Sequence, residues 1–330
     1  MTQAPDCTAD ATDSRMARPA LVDAVVIGRN EGARLLACLA ALHGHMRRVI
    51  YVDSGSVDGS VAAARAAGAE VVELDMRQPF TAARARNAGL AALAQDPPEF
   101  VQMIDGDCEL RPGWIAAALA AFTAHPAAVV ICGRRRERFP YVSVYNALAD
   151  LEWDTPIGLA RACGGDALMR FAALQEVGGY DPTLIAGEEP DLCRRLGARG
   201  GEIWRIEAEM TWHDAAMTRF GQWWRRSQRA GHAFAEGTAR HGFDHWGRET
   251  RRALIWGAGL PVVIFLAGVI HPLGWCLALA YPAQVTRLAR RGSWRWAFFS
   301  VLGKFAEARG ALGFYLGQLI GRRRGLIEYK

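Results

Sequence analysis

The sequence predicts an α/β protein in which helices cover both faces of a parallel sheet, followed by a helical region. Short runs rich in Val and Ile alternate with Ala-rich helical patterns over residues 21–105. Strands that alternate with helices favour parallel pairing. The chain has 330 residues, of which 51% are hydrophobic and 22% charged. This is a globular composition with room for about two domains.

The predicted elements follow one another at short intervals. The predicted strands are 21–27, 48–52, 70–74, 100–104 and, further on, 201–205, and the predicted helices are 33–43, 60–67 and 82–94. Ligands of parallel α/β sheets bind beyond the carboxyl ends of the strands. The polar residues directly after each strand are therefore the candidate functional residues.

Polar loops follow three of these strands. Their sequences are Gly28-Arg29-Asn30-Glu31-Gly32, Asp53-Ser54-Gly55-Ser56-Val57-Asp58-Gly59-Ser60 and Asp105-Gly106-Asp107. Helix capping is an alternative role for Asp58, which lies two residues before a predicted helix. It explains Asp105 and Asp107 less well, because two carboxylates on either side of one glycine repel each other unless a cation lies between them.

Two carboxylates at the end of a strand can share one hard divalent ion, and Mg²⁺ fills its remaining positions with water and phosphate oxygens. The sequence has no Gly-x-Gly-x-x-Gly after the first strand and no Gly-Lys-Ser/Thr loop. It therefore argues against dinucleotide enzymes and P-loop NTPases. A metal-bound nucleoside diphosphate is the ligand class that remains.

Four motifs in order resemble the GT-A domain of family 2 glycosyltransferases, over about residues 21–226. They are Val25-Val26-Ile27-Gly28-Arg29-Asn30-Glu31, Val52-Asp53-Ser54-Gly55-Ser56-Val57-Asp58-Gly59-Ser60, Ala85-Arg86-Asn87-Ala88-Gly89 and Asp105-Gly106-Asp107. The resemblance implies a Rossmann-like, mostly parallel sheet with flanking helices. It also implies transfer of a sugar from a nucleoside-diphosphate donor with the help of Mg²⁺ or Mn²⁺.

The same resemblance implies roles for individual residues. The donor-binding residues would be Asn30, Glu31, Asp53, Arg86 and Asp105, and the metal ligands would be Asp107 and Asp105, with His213 as a further candidate. A structural histidine is the alternative for His213. The segment Gly164-Gly165-Asp166-Ala167-Leu168-Met169-Arg170 resembles the acceptor half of the family, which makes Gly165 and Asp166 candidate acceptor-binding residues.

The segment Gly187-Glu188-Glu189-Pro190-Asp191 resembles the family motif that carries the general base. The family usually has Glu-Asp there, so the resemblance leaves the base open between Glu189 and Glu188. Capping of a helix N-terminus is the alternative role for both acids. The implied reaction is a single displacement at the anomeric carbon, which inverts its configuration.

The C-terminal third is basic and apolar. Residues 245–330 carry 13 lysines and arginines against three acidic residues, and 253–270 contain no formal charge. That run is just long enough to cross a hydrocarbon core as a helix. With the break at His271-Pro272, residues 253–285 predict a hydrophobic hairpin, and the basic residues on both flanks favour both ends lying in the cytoplasm. The short second arm, 273–285, leaves a re-entrant or surface-lying hairpin open. Residues 294–320 predict an amphipathic interfacial helix.

The expected division is a disordered leader at 1–19, the GT-A domain at 20–240 and a helical membrane-associated region at 241–330. A buried helical subdomain of a soluble enzyme is the alternative for the last region. Seven scattered cysteines without a Cys-x-x-Cys pair favour a reducing compartment. Apolar runs interleaved with basic residues favour a membrane over nucleic acid as the partner.

We therefore expect a glycosyltransferase of the hexosyltransferase class at the cytoplasmic face of the plasma membrane. It would act on a lipid-linked or polysaccharide acceptor in cell-envelope polysaccharide synthesis. Two alternatives stay open at this point. One is a sugar-nucleotide nucleotidyltransferase, although Gly28-Arg29-Asn30-Glu31-Gly32 is a poor version of the Gly-rich loop it would need. The other is a non-catalytic membrane scaffold on a degenerate transferase fold.

Overall fold

The computed structural model describes residues 21–321 as one mixed sheet with flanking helices and a C-terminal helical region. The strands are β1 (Val22–Gly28), β2 (Val49–Asp53), β3 (Glu70–Glu73), β4 (Phe100–Asp105), β5 (Cys108–Leu110), β6 (Ala128–Glu137), β7 (Gly158–Ala160), β8 (Ala167–Arg170) and β9 (Glu202–His213). The helices beside the sheet are α1 (Ala33–Leu42), α2 (Ser60–Ala66), α3 (Ala82–Leu93), α4 (Trp114–Ala124), α5 (Val144–Glu152), α6 (Phe171–Glu176) and α7 (Glu188–Gly197).

The first four strands pair in parallel in the order β3-β2-β1-β4. Their Val- and Ile-rich runs suit a position between two layers of helices, and six of the seven residues of β1 are buried. The predicted α/β class and the first four predicted strands are confirmed.

The second half of the sheet adds antiparallel strands. β8 pairs antiparallel with both β4 and β6, and β5 and β7 pair antiparallel with β9, while β6 and β9 are parallel. The strand predicted at 201–205 continues to residue 213 as β9. His213 is therefore the last residue of this strand, where the sequence analysis placed it beyond a shorter one.

The register of the parallel strands brings two predicted site residues to the same edge. Gly28 at the end of β1 lies opposite Asp53 on one side, and Ile27 lies opposite Asp105 on the other. Neighbouring strands are about 4.8 Å apart. Asp53 and Asp105 therefore flank the end of β1 about two strand spacings apart.

Helix α3 lies close against β1 because it presents a glycine there. A Cβ added at Gly89 would lie 2.3 Å from Val25 Cγ1. This close approach brings the preceding turn of α3, with Arg86, over the carboxyl edge of the sheet.

The C-terminal region begins with α8 (Phe220–His241). One continuous helix then runs over Gly247–Ile270. It consists of α9 (Gly247–Leu254), one π-helical turn at Ile255–Gly259 and α10 (Leu260–Ile270). A 3₁₀ segment (Pro272–Leu279), α11 (Ala280–Ala289) and α12 (Trp294–Leu319) complete it.

Helix α12 packs along α8 through small residues. A Cβ at Gly310 would lie 2.0 Å from the carbonyl oxygen of Gln228, and one at Gly231 would lie 2.0 Å from that of Glu307. The segment predicted as an amphipathic interfacial helix thus buries one side against α8, while Trp294, among other apolar residues, stays exposed. The predicted domain boundary at residue 240 lies at the end of α8. Helices α8 and α12 pack together across this boundary, so the division into two domains stays a prediction.

Within the described residues, Gly247–Ile270 is long and apolar enough to cross a membrane, and only 11% of its most apolar 18 residues are buried. The leader predicted at 1–19 and the arginines at 322–324 lie outside the described residues.

The approach of α3 to β1 can be tested with Gly89→Ala. The added methyl group must displace Val25, so we expect a loss of about 2 kcal/mol, measured as a lower midpoint of thermal unfolding. Gly197→Ala is the control, because a Cβ at this helical position meets nothing within 4 Å. An unchanged midpoint for Gly89→Ala would contradict the packing described here.

Candidate active site

A buried arginine at the carboxyl edge of the sheet joins acidic residues from two segments. Arg86 Nη2 lies 3.0 Å from Asp105 Oδ1, and Arg86 Nη1 lies 3.0 Å from Glu188 Oε1 and 2.8 Å from Glu189 Oε1. The Arg86 side chain is only 3% exposed. A buried charge of this kind is tolerated only when it is paired. The arginine therefore fixes the two glutamates at the start of α7 next to Asp105 at the end of β4.

A second arginine, Arg135 on β6, lies on the other side of Asp105. Its Nη2 is 3.3 Å from Asp105 Oδ2 and 3.2 Å from the thiol of Cys108. Its Nε is 3.5 Å from Asp166 Oδ2, and its guanidinium lies 5.0 Å from the centre of the Trp153 ring. Asp105 thus lies between two arginines.

The two residues predicted to contact the acceptor have different surroundings. Asp166 is fully buried: it accepts hydrogen bonds from the backbone N–H of Asp105 and from the Thr211 hydroxyl. In this arrangement it positions Asp105 and does not face the crevice. A Cβ at Gly165 would lie 2.7 Å from Arg86 Nη2 and 3.0 Å from Asp105 Oδ2. A glycine is required there because the backbone lies directly over this ion pair.

Asp107 and His213 lie together behind this cluster, and both are buried. His213 Nε2 is 3.3 Å from Asp107 Oδ2, and His213 Nδ1 is 3.6 Å from Glu137 Oε2. The register places Glu137 of β6 and Cys108 of β5 opposite His213, one on either side. Burial, followed by the nearby Arg135 charge, lowers the pKa of His213. The imidazole is therefore held neutral, as a metal ligand must be.

These side chains offer a plausible donor set for a divalent ion. Asp107, Cys108 and His213 each present one ligand atom, and the three atoms lie within 4.8 Å of one another. Burial raises the pKa of the Cys108 thiol well above its usual range, so it remains a weak ligand. One carboxylate and one imidazole remain, which suit Mn²⁺ and leave positions for phosphate oxygens. A second group, Asp105, Cys108 and Asp166, fits less well because Asp166 already accepts two hydrogen bonds.

The two glutamates differ in exposure. The side chain of Glu189 is 14% exposed and that of Glu188 is 5% exposed. Burial, and then the neighbouring Glu188 charge, raise the pKa of Glu189 to about 7, against the opposing effect of Arg86. A carboxylate with a pKa near neutrality is matched to proton transfer at physiological pH. Its greater exposure and its pKa near neutrality make Glu189 the stronger candidate for the base.

The predicted nucleobase and ribose residues form a separate group of loop contacts. The backbone N–H groups of Gly55 and Ser56 donate to Asp53 Oδ2, and the Tyr51 hydroxyl donates to Oδ1. Asn30 joins the first loop to the second, since its Oδ1 accepts from the Val57 N–H.

Glu31 forms an ion pair with Arg34, at 2.7 Å. Asn30 and Asp53 therefore lie on the β1 and β2 side of the edge, with Asp105 on the far side of β1. Glu31 lies between the two sides, since its Cγ is 3.2 Å from a Cβ at Gly28 and 3.5 Å from one at Gly106.

Sequence reasoning missed Arg135 and Glu137. Both lie at the end of β6, where the apolar run 128–132 gives way to Gly133-Arg134-Arg135-Arg136-Glu137. This is the same signal of polar residues at a strand end that identified the other loops. Their functional position depends on the pairing of β6 with β9, which no local pattern predicts.

Residues 23–178 match the family model described as "Glycosyl transferase family 2". A "Pre-mycofactocin glycosyltransferase" from Mycobacterium tuberculosis is 28% identical over 232 residues, which is 67% of this chain and 48% of the relative. The chain thus spans about half the length of the curated relatives it matches. The match is to glycosyltransferases and favours sugar transfer over the nucleotidyltransferase and scaffold alternatives.

Two solved structures share the fold. The mannosyltransferase PcManGT from Pyrobaculum calidifontis, solved in complex with GDP-Man and Mn²⁺, superposes with a TM-score of 0.61 at 21% identity, covering 89% of this chain and 87% of that one. A mycobacterial protein superposes with a TM-score of 0.51 at 18% identity, covering 68% and 76%. The first match extends over most of the chain and confirms the GT-A fold.

Removal of Arg86 from its three acidic partners should make the stability of the protein depend on pH. Arg86→Met leaves three carboxylates without their shared cation, so we expect a loss of about 3–5 kcal/mol at neutral pH. Protonation of these carboxylates relieves the repulsion, so the loss measured by thermal unfolding shrinks as pH falls toward 5.

Arg84→Met is the matched control. Arg84 also lies on α3 but donates to backbone carbonyl groups of residues 75, 78 and 79. The stability lost in Arg84→Met should vary little between pH 7 and 5, because the pKa of nearby Asp75 lies below its usual range, chiefly through its hydrogen bonds with Arg77. Equal pH profiles for the two variants would refute the assigned role of Arg86.

Proposed function

We propose that this chain, whose residues 23–178 match the family 2 glycosyltransferase model, moves a sugar from a nucleoside-diphosphate donor to a lipid-linked or polysaccharide acceptor, with inversion and with a divalent metal. The observation that carries the proposal is the group of carboxylates that Arg86 and Arg135 gather at the carboxyl edge of the sheet. We infer that donor and acceptor meet at this edge, between the β1 and β2 loops and the start of α7.

The donor side of the proposal rests on the loops after β1 and β2. Asn30, Glu31 and Asp53 would hold the base and ribose, with Asp105 facing the ribose across the end of β1. Because Arg86 lies between Asp105 and the two glutamates, we assign it to holding these acids in place. The direct nucleotide contact that the sequence resemblance implied for Arg86 stays a prediction.

The acceptor side rests on Glu189. Its carboxylate would take the proton of the acceptor hydroxyl as the oxygen attacks the anomeric carbon, while the nucleoside diphosphate leaves from the opposite face. Glu188 is more deeply buried and shares Arg86, so we assign it to positioning the arginine. The attack from one face is what would invert the sugar.

Asp107 and His213 would hold Mn²⁺ or Mg²⁺. The bound ion would neutralise the charge of the departing diphosphate. Glu137 accepts hydrogen bonds from the Asn146 side chain and from the backbone of Phe139 and Ala215, so it is fixed in position. From there it would orient the His213 ring through Nδ1, as outer carboxylates do for metal-binding histidines.

The acceptor class and the location rest on the C-terminal region. The exposed apolar helix 247–270 supports membrane binding, and the arginines on both flanks of the apolar run support a place at the cytoplasmic face of the plasma membrane. A lipid-linked or cell-envelope acceptor is the substrate class that such an enzyme would meet there. A panel of nucleotide sugars with Mn²⁺, including GDP-mannose, should identify the donor, because it raises the unfolding midpoint by mass action.

The role of Glu189 predicts a pH profile for transfer from that donor. The base must be ionised, so kcat/KM should fall about tenfold per pH unit below about 7 and level off above it. Glu189→Gln should lower turnover about a thousandfold while the donor still raises the unfolding midpoint. Glu188→Gln is the comparison and should lose less. If Glu188→Gln lost the activity and Glu189→Gln kept it, the assignment would be reversed.

The metal site predicts a graded loss of Mn²⁺ affinity, measured by electron paramagnetic resonance of free Mn²⁺ during titration. Asp107→Asn and His213→Ala remove ligands and should abolish tight binding. Glu137→Gln should weaken it about 10- to 100-fold. Asp58→Asn is the control, since Asp58 accepts hydrogen bonds from Ser60 in the loop before α2. This variant should bind Mn²⁺ with unchanged affinity. Full Mn²⁺ affinity in Asp107→Asn would disprove the site.

A further inference from the structure

We propose that residues 255–285 form a hairpin that inserts into a single leaflet of an anionic membrane and does not cross it. The proposal takes up the membrane association stated above and is independent of sugar transfer. It differs from the spanning helix that the length of 247–270 alone would allow.

The chain reverses at the end of α10. A Cβ at Gly274 would lie 2.2 Å from the carbonyl group of Ala267, and one at Gly268 would lie 2.3 Å from the Trp275 ring. The returning segment is thus in direct contact with the last turns of α10. Further back, the Tyr281 hydroxyl donates to the carbonyl oxygen of Trp256 at 2.8 Å. The two arms lie side by side from residues 256 and 281 to the reversal at 271.

The base of the hairpin is attached to the rest of the protein. A Cβ at Gly257 would lie 1.9 Å from the carbonyl oxygen of Lys304 on α12, and the rings of Tyr281 and Phe305 are 5.4 Å apart. Since α12 packs along α8, the hairpin base is fixed to the transferase through α12. The helix therefore cannot slide outward to expose a longer apolar length.

The projecting length is too short to span. Leu260–Ile270 has 11 residues, which measure about 16 Å as a helix. Counted from Trp256 the arm still measures about 21 Å. The hydrocarbon core of a bilayer is about 30 Å thick. The hairpin reaches roughly to the middle of the bilayer, and both of its ends stay on the same side.

The surface of the hairpin is apolar and exposed. Ile264 is the one buried residue of α10. The large exposed side chains of the hairpin are Ile255, Val262, Val263, Phe265, Leu266, Val269, Ile270, Leu273, Trp275, Leu277 and Leu279. Residues 260–279 carry no formal charge. An exposed apolar surface of this extent indicates an interaction site.

The order of residues along both arms matches the layers of a bilayer. The apolar tip is followed toward the base by an aromatic pair, Trp256 on one arm and Tyr281 on the other, with ring centres 6.0 Å apart. Exposed arginines come next on both arms, at 251 and 252 and at 287, 290 and 291. Tryptophan and tyrosine favour the interface, and arginines there attract anionic headgroups. This charge arrangement favours a lipid leaflet over a second copy of the chain.

The exposed Cys276 near the tip of the hairpin allows a direct test in the full chain. The test uses a Cys7→Ser variant, and the same variant with Cys276→Ser added gives the background labelling of the other cysteines. Protein is bound to phosphatidylcholine–phosphatidylglycerol vesicles and treated with a membrane-impermeant maleimide, either outside or trapped in the lumen. We expect Cys276 to react in free protein and to be shielded from both sides in bound protein. Reaction from the lumen would show a spanning helix, and unchanged reaction from outside would show no insertion. Either result overturns the proposal.

Vesicle binding by substituted chains tests the two parts of the surface separately. Leu273→Asp should weaken binding at least about tenfold, whereas Leu36→Asp, at an exposed leucine on α1, should not. Replacing Arg287, Arg290 and Arg291 by Gln should weaken binding on the order of a hundredfold on anionic vesicles and little on neutral ones. Equal losses on both vesicle types would refute the role of the arginines.

Sedimentation without vesicles distinguishes a self-association surface. A dimer that Leu273→Asp dissociates would overturn the proposal in favour of a second copy of the chain. Turnover of GDP-mannose or another donor in detergent is measured on the same preparations. Donor turnover without vesicle insertion would reject the hairpin proposal and leave the proposed function intact. Vesicle insertion without turnover of any donor would reject the proposed function and leave the hairpin proposal intact.

Discussion

The arrangement of this site depends on two buried arginines that lie among acidic side chains. Five carboxylates, from Asp105, Asp107, Asp166, Glu188 and Glu189, meet at one edge of the sheet, and Arg86 and Arg135 lie among them. Without these cations the acids would repel one another. The two guanidiniums offset only part of the negative charge of five carboxylates, which is the basis for proposing a further cation here.

The same arginines divide the acids into groups with different chemistry. Arg86 lies with the glutamates at the start of α7, where burial brings Glu189 to a pKa of about 7. On the other side of Asp105, Arg135 lies near the Asp107–His213 pair and helps keep the imidazole neutral. Under the proposed function, the proton acceptor Glu189 and the cation site at Asp107 and His213 would lie on opposite sides of Asp105. A displacement reaction with an anionic leaving group would use this separation.

The first half of the fold could be predicted because its signals are local. Apolar runs at β1, β2, β3 and β4 and the acidic loops that follow them are visible in short windows, and parallel pairing brings strand ends to one edge by rule. The second half depends on pairing between distant segments. β8 is only four residues long, and Glu137 acquires its place opposite His213 only through the register of β6 with β9.

Individual side-chain roles were harder to predict than positions. Arg86 was recognised as part of a motif, but its contact with Glu188 and Glu189 joins residues about 100 positions apart. Asp166 lies in the right segment and still faces inward, because Thr211 and the backbone of Asp105 bind its carboxylate. Motif spacing specifies which residues come near one another, whereas the direction of each side chain is decided by its tertiary partners.

The central claim is that the excess negative charge at this edge is neutralised by a metal ion between Asp107 and His213. Anomalous diffraction at the manganese edge, from crystals of the chain grown with Mn²⁺ and a nucleoside diphosphate, tests it most directly. The account predicts one strong peak within bonding distance of Asp107 and His213, next to diphosphate density over Asp105. Two results would contradict the account. One is a diphosphate bound at this edge with no manganese peak beside Asp107, and the other is a manganese peak found only at another place in the protein.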